Sequence, residues 1–96
     1  MYEVITMRAD YEGWYLFDDY RSKIKTSDTF DQFILAQEKF NQLINDYELH
    51  FKHKLIGKGN VHVFYNNCEI EFCESCDDDV QIFHSVLILE DGKLMI

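Results

Sequence analysis

Apolar residues recur with the period of an α-helix between residues 30 and 51, and polar residues fill the other positions. Thr29 precedes this stretch and Gln32 lies three residues later, which is the spacing of a capping box at a helix N-terminus. The pattern predicts one long amphipathic helix packed on a sheet. The basic residues at 50–54 would lie at its C-terminal end, where cations suit the helix dipole. The apolar stripe comprises Phe30, Phe33, Ile34, Ala36, Phe40, Leu43, Ile44, Tyr47 and Phe51.

Two short runs rich in β-branched and aromatic residues precede the helix. Residues 2–8 form the first run, and turn signals at 9–13 lead into an aromatic run at 14–17. We expect a strand from each run. A short irregular or helical segment should follow as far as Lys25, and the hydroxyl-rich residues 26–29 then offer side chains for the helix cap.

A β-hairpin is the clearest local signal after the helix. Residues 61–73 contain two strand-like runs around Asn66-Asn67, a two-residue turn that tolerates positive φ. Pairing outward from this turn places Val63 opposite Ile70 on a core-facing side. The same register places Phe64 on the other side, which is expected to face mostly solvent.

A second hairpin is expected around Asp91-Gly92, with Leu89 facing Leu94 across the turn. The run at 82–89 that enters this turn has no polar alternation, so it predicts an inner strand covered on both faces. The helix would cover one face. The aromatic segment near the N-terminus or a second subunit would cover the other, and a second subunit would make the protein a homodimer.

The length and composition of the chain fit one domain. With 96 residues, 47% of them hydrophobic and 28% charged, the chain has the balance of a globular protein that folds alone. The elements above combine into an α+β fold in a single domain at residues 1–96. We expect an antiparallel sheet of about four to six strands with one long amphipathic helix packed on one face.

The chain is acidic, with 18 acidic against 9 basic residues and a formal net charge of -9. This charge repels nucleic acids and anionic membranes, which argues against both as direct partners. The beginning of the chain lacks the pattern of a signal peptide, and no stretch is apolar over the length of a membrane span. We therefore expect a cytoplasmic protein whose three cysteines stay reduced.

Cys73 and Cys76 form a Cys-x-x-Cys motif, a spacing found in thiol redox sites and in half of a zinc site. The motif follows a strand and precedes three aspartates, whose charge opposes thiolate formation and argues against a redox enzyme. His62 and His84 would complete a zinc site, since His62 shares a face with Cys73 in the expected hairpin. Cys68 falls on the core face of that hairpin and is assigned to the core. The expectation is no cofactor, with zinc as the alternative.

Two surfaces are candidates for contact with a partner. Five aromatic residues lie within ten positions near the N-terminus, where they either cover the sheet or anchor an interface. The three aspartates at 77–79 lack the pattern of a calcium loop. They are expected to form a solvated acidic face, which could also bind a basic protein or imitate the phosphates of DNA. The candidate binding residues are Tyr11, Trp14, Tyr15, Phe17, Asp77, Asp78 and Asp79.

Two segments of the chain resemble a known family. They are residues 1–20, MYEVITMRADYEGWYLFDDY, and residues 72–84, FCESCDDDVQIFH, and together they cover about a third of the chain. Both are similar to a small cytoplasmic family of Gram-positive bacteria catalogued as domain of unknown function 1033. Many members carry two tryptophans where this chain has Trp14-Tyr15. The resemblance implies that the aromatic segment, the Cys-x-x-Cys motif, the aspartates and His84 belong together, and it implies no catalytic residues.

The motifs of common enzyme classes are missing from the sequence. It contains no nucleophile elbow, phosphate-binding loop, dinucleotide fingerprint or zincin motif, so it predicts no reaction. The leading hypothesis is a non-enzymatic binding or regulatory module with an unidentified protein partner. Two alternatives stay open: a metal- or redox-responsive protein that uses Cys73 and Cys76, and an acidic mimic that blocks a nucleic-acid-binding protein.

Overall fold

The computed structural model describes residues 1–13, 15, 20–57, 61–66, 70–73 and 78–94, with only the backbone described at 71–73 and 78–79. Within these residues the chain forms eight strands, a short 3-10 helix at Tyr20–Lys23 and one long helix, α1, at Phe33–His50. The strands are β1 (Tyr2–Ala9), β2 (Ile24–Phe30), β3 (His53–Ile56), β4 (His62–Tyr65), β5 (Ile70–Cys73), β6 (Asp78–Gln81), β7 (Phe83–Glu90) and β8 (Lys93–Leu94).

Six of the described strands form one antiparallel sheet with β7 at its centre. Its order is β2-β1-β7-β4-β3, and β8 pairs with β7 beside this path. Strands β5 and β6 pair with each other in a separate two-stranded sheet. Helix α1 packs on one face of the large sheet. The predicted α+β fold is confirmed. None of the described helices is long and apolar enough to cross a membrane.

The large sheet buries apolar side chains on both of its faces. Successive residues of a strand point to opposite sides, so the uninterrupted apolar run of β7 fills both faces at once. The predicted inner strand is confirmed, since every residue from 84 to 89 is buried. The helix-facing cluster includes Val4, Ala36, Phe40, Phe64, Val86 and Ile88, and the opposite cluster includes Ile5, Met7, Val61, Val63, Leu87 and Leu89.

Two described residues of the aromatic segment lie on the face that α1 leaves open. Tyr11 and Tyr20 pack against the cluster on that face, which confirms one of the two expected covers. Gly13 lies directly on the sheet, because a Cβ atom at this position would be 2.4 Å from the Cβ of Ser85. The predicted strand at 14–17 lies outside the described residues except for Tyr15, which is not part of a strand.

The predicted apolar stripe of the helix is confirmed in part, and the predicted cap is wrong. Ala36 and Phe40 are buried, whereas Ile34 is 64% exposed. Thr29 belongs to β2, and α1 begins at Phe33. The N-cap residue is Gln32, which has an extended backbone and makes no side-chain capping bond. The hydroxyl groups that suggested a cap serve the pairing of β2 with β1 instead. For example, the Oγ1 atoms of Thr26 and Thr6 lie 2.6 Å apart.

The basic cluster after the helix does not extend it. Helix α1 ends at His50, and residues 53–56 form β3 in place of the predicted helix end. The backbone of Phe51 is already extended, so the chain turns back along β4. The predicted role of His53 and Lys54 at the helix dipole is therefore wrong. Lys54 lies opposite Phe64 and its Nζ is 2.6 Å from Glu48 Oε1.

The predicted hairpin at 61–73 is wrong, although both of its strands exist. Strand β4 has β3 on one side and β7 on the other, so it has no free side for β5, and β5 pairs with β6. Phe64 is 1% exposed rather than solvent-facing, because β4 carries apolar residues on both faces and enters the interior of the sheet. Asn66 accepts a hydrogen bond from the Lys52 backbone N–H at 2.9 Å.

The second predicted hairpin, between β7 and β8, is confirmed. Leu89 pairs with Leu94, as the turn spacing required. Asp91 and Gly92 have φ values of 52° and 84°, and two successive positive values are the signature of a type I′ turn.

Candidate functional site

The cysteines of the alternative zinc site lie largely outside the described part of the structure. Cys76 is not described, and of Cys73 only the backbone is, at the end of β5 opposite Asp78. Cys68 is also outside the described residues. The hairpin register that grouped Cys73 with His62 is wrong, because β4 and β5 belong to different sheets.

The two histidines of that site face helix α1 from neighbouring strands. The ring of His62 in β4 packs 5.2 Å from that of Phe40, and the ring of His84 in β7 packs 4.7 Å from that of Phe51. Among the described residues, no group of three or more His, Cys, Asp or Glu side chains is placed to hold a metal ion. Zinc binding at Cys73, Cys76, His62 and His84 stays a prediction.

The predicted contact surfaces are described only in part. Tyr11 is half-buried over the sheet, and Tyr15 is 48% exposed. Asp78 and Asp79 lie in β6, where only their backbone is described. Trp14, Phe17 and Asp77 lie outside the described residues. Protein binding through these residues therefore stays a prediction.

A cleft lies at the C-terminal end of α1, between the helix and the sheet. It has a volume of ≈ 320 Å³, which falls at the lower end of the range for small-molecule sites. No pattern in the sequence predicts this cleft, because its residues come from three separate parts of the chain. The lining residues are Lys25, Asp46, Tyr47, His50, Phe51 and His84.

The end of the helix fixes one side of the cleft. The Phe51 backbone N–H donates to the Tyr47 carbonyl oxygen at 2.9 Å, and His50 Nδ1 donates to the Asp46 carbonyl oxygen at 2.7 Å. The ring of Phe51 contacts His84, which is 6% exposed in the central strand. The position of these side chains is therefore set by the helix end and by the core of the sheet.

The surroundings of Tyr47 in the cleft shift the pKa of its phenol. Burial raises the pKa of its phenol above the usual value of 10.0, and the nearby charge of Asp46 raises it further, whereas a hydrogen bond with Thr6 acts in the opposite direction. The ring lies 5.4 Å from the rings of both Phe51 and Phe64. At neutral pH, Tyr47 is therefore a protonated hydrogen-bond donor and not a base.

Strand β3 presents a second feature that no pattern in the sequence predicts. Among the described residues it is the last strand of the large sheet on the side of β4. It carries Leu55 at 40% exposure and Ile56 at 59% exposure. At the opposite end of the sheet, all five residues of β2 from 25 to 29 are exposed, and all are polar. The two ends of the sheet therefore differ in chemistry.

Comparison with known protein families gives a match over the whole chain. A family model described as Protein of unknown function (DUF1033) matches residues 1–96. No curated protein and no solved structure shows significant similarity to the chain. The resemblance seen in residues 1–20 and 72–84 therefore extends over the whole chain.

Proposed function

Because this chain belongs to the family of proteins of unknown function DUF1033, which brings no activity with it, we propose from its surface that it is a protein-binding module. A partner contributes an extended segment that pairs with β3 and adds one strand to the sheet. The proposal is carried by one observation, the two exposed aliphatic side chains Leu55 and Ile56 on a terminal strand of the sheet.

The terminal position of β3 explains how it would bind. An edge strand offers backbone N–H and C=O groups that a partner strand can pair with, while side-chain contacts supply specificity. Natural proteins often protect such edges with lysine. Lys54 is present in β3, but its ammonium group is drawn toward Glu48 of α1, at 2.6 Å, and leaves the neighbouring Ile56 accessible.

The charges beside β3 favour an acidic partner segment. Lys52 and His53 form a small basic stretch at the start of β3 in a chain whose net charge is -9, while the charge of Lys54 is balanced by Glu48. An acidic segment would be attracted to this stretch. A second copy of the chain is a weaker candidate, since the two copies would repel each other through their net charges. We place this interaction in the cytoplasm, in agreement with the expected reduced state of the cysteines.

A site-specific crosslinking experiment tests the proposal. A photo-crosslinking amino acid replaces Ile56 in the full chain, and the matched control carries it at Thr29, an exposed residue of β2. We expect a captured protein from the Ile56 position that the Thr29 position does not capture. The crosslinked peptide of that protein should be acidic and should map to one extended segment.

Substitutions at Ile56 and Thr29 then test how much each position contributes to the affinity for the partner. A synthetic peptide of the captured segment should bind the wild-type chain, and Ile56→Lys should weaken the affinity at least about tenfold, since a buried aliphatic contact is lost and a charge is placed at the edge. Thr29→Lys should leave the affinity unchanged. Equal capture at both positions, capture of the chain itself alone, or an unchanged affinity of Ile56→Lys would each refute the proposal.

A further inference from the structure

An irregularity in β2 places a lysine at the cleft. Thr6 pairs with Thr26 and Met7 pairs with Ile24, so Lys25 is an extra residue that forms a β-bulge. In a regular strand, Ile24 and Thr26 would point to the same side. Here Ile24 packs in the cluster away from α1, whereas Thr26 bonds to Thr6. The bulge brings Lys25 to the cleft on the helix side of the sheet.

The cleft has a positively charged side chain on β2 and a negatively charged one on α1. Lys25 supplies an ammonium group from β2, and His50 and His84 supply imidazole nitrogens. Asp46 supplies a negative charge, and the C-terminal end of α1 supplies the negative end of the helix dipole. Asp46 and the helix end would repel a doubly charged anion. A ligand with one carboxylate can bind Lys25, and a hydrogen-bond donor elsewhere in the ligand can bind Asp46.

Aromatic rings form the apolar part of the cleft. The rings of Tyr47 and Phe51 lie 5.4 Å apart, and Phe51 is held in turn against His84. Flat aromatic ligands pack well against such rings. The volume of ≈ 320 Å³ has room for a ligand of one ring with small substituents.

We infer that this cleft binds a small aromatic carboxylate that also carries a hydroxyl or amino group. Lys25 binds the carboxylate, the rings of Tyr47 and Phe51 contact the aromatic body, and Asp46 accepts the hydrogen bond of the ligand's donor. This inference does not depend on the role proposed for β3. The cleft lies over β2 and β7, whereas β3 is at the far end of the sheet from β2.

An NMR titration tests the inference with 4-hydroxybenzoate as the probe. The wild-type chain, uniformly labelled with ¹⁵N, is titrated, and we expect saturable amide shifts that are largest at Lys25, Tyr47, Phe51 and His84. The neutral probe 4-hydroxybenzamide has the same shape without the negative charge. It should bind at least about tenfold more weakly, because the charge-assisted contact with Lys25 is lost.

A matched pair of variants tests the role of the bulge residue. Lys25→Met keeps the aliphatic stem and removes the charge, and it should weaken 4-hydroxybenzoate binding by about tenfold. Lys93→Met, in β8 beside the β7-β8 turn, should bind as the wild type does. Absence of saturable shifts at the cleft, equal binding of the two probes to the wild type, or unchanged binding by Lys25→Met would overturn the inference. The comparison of the two probes needs no variant to fold.

Discussion

Gly13 shows at the scale of one residue how closely the segment after β1 approaches the sheet. The Cβ and Oγ atoms of Ser85 would lie 2.4 and 2.6 Å from a Cβ at this position, and a Val61 methyl would lie 3.4 Å away. Ser85 belongs to the central strand and cannot move without disturbing its neighbours on both sides. The lack of a side chain at residue 13 is therefore required by packing and not by backbone conformation.

We expect Gly13→Ala to destabilise the fold by about 1–3 kcal/mol, because the added methyl group overlaps Ser85. Urea denaturation measures the change in the free energy of unfolding. Ser85→Gly removes the obstructing atoms, so the double variant should be more stable than the sum of the two single changes allows. Strict additivity in this cycle would show that residues 13 and 85 do not meet.

Glu3 illustrates an electrostatic contact at the same scale. Its carboxylate accepts hydrogen bonds from Arg21 Nη1 and Nη2 at 2.9 and 3.0 Å, and a third from Ser27 Oγ at 2.5 Å. Arg21 lowers the pKa of the Glu3 carboxyl below 4.5, and partial burial opposes this shift. The ion pair therefore stabilises the fold above pH 4.5, and this contribution is lost as the pH falls through the lowered pKa of the folded state.

Arg21→Gln should reduce the free energy of unfolding at pH 7 by less than about 1 kcal/mol, because the Arg21 side chain is 53% exposed to solvent. The difference from the wild type should shrink as the pH is lowered from about 5 to about 3. Thermal denaturation at several pH values measures it. Lys39→Gln removes a longer and exposed ion pair with Asp28, at 3.8 Å, and should show little effect at any pH. A difference for Arg21→Gln that grows toward acid would contradict this assignment.

At the scale of elements, the turn between β7 and β8 depends on backbone conformation alone. A Cβ atom on Gly92 would meet no atom within 4 Å, so space is not the constraint there. The φ value of 84° is one that residues with a side chain rarely adopt. This turn and the approach of Gly13 thus use glycine for two different physical reasons.

Gly92→Ala should therefore destabilise the fold by about 1 kcal/mol, through backbone strain. The adjacent change Lys93→Ala, at an exposed position without positive φ, should stay within about 0.5 kcal/mol of the wild type. Denaturant titration of both variants measures the difference. Equal stability of the two variants would show that the turn does not hold Gly92 at positive φ.

The elements also show which signals in the sequence could be used for prediction. The long helix, the inner strand β7 and the turn at Asp91-Gly92 were predictable, because each depends on periodicity or on a local conformational preference. Strands β2 and β3 were not, because their short polar or basic sequences have equally good local explanations as a helix cap and a helix end. The pairing of β2 with β1 and of β3 with β4 decides between these alternatives. Strand β1 is distant from β2 in the sequence, so a local pattern cannot reveal their pairing.

At the scale of the whole molecule, the candidate sites were harder to predict than the fold. The β-bulge that brings Lys25 to the cleft arises from a register shift against β1, which the sequence of β2 alone does not encode. His84 reaches Phe51 only because β7 and the end of α1 pack together. The hairpin at Asn66 was a reasonable local prediction, but burial of Phe64 on the helix side inserted β4 between β3 and β7.

The central place of β7 in the sheet has a consequence for folding of the chain during its synthesis on the ribosome. Strand β1, made first, has β7 as one of its two neighbours, and Tyr2 pairs with Glu90. Such distant pairing is slow to form, because a long loop must close before any contact compensates for it. Strands β1 and β4 each lack one neighbouring strand until β7 has been synthesised and has left the exit tunnel. During synthesis the nascent chain therefore exposes two apolar strands with unpaired edges, a state that is prone to aggregation.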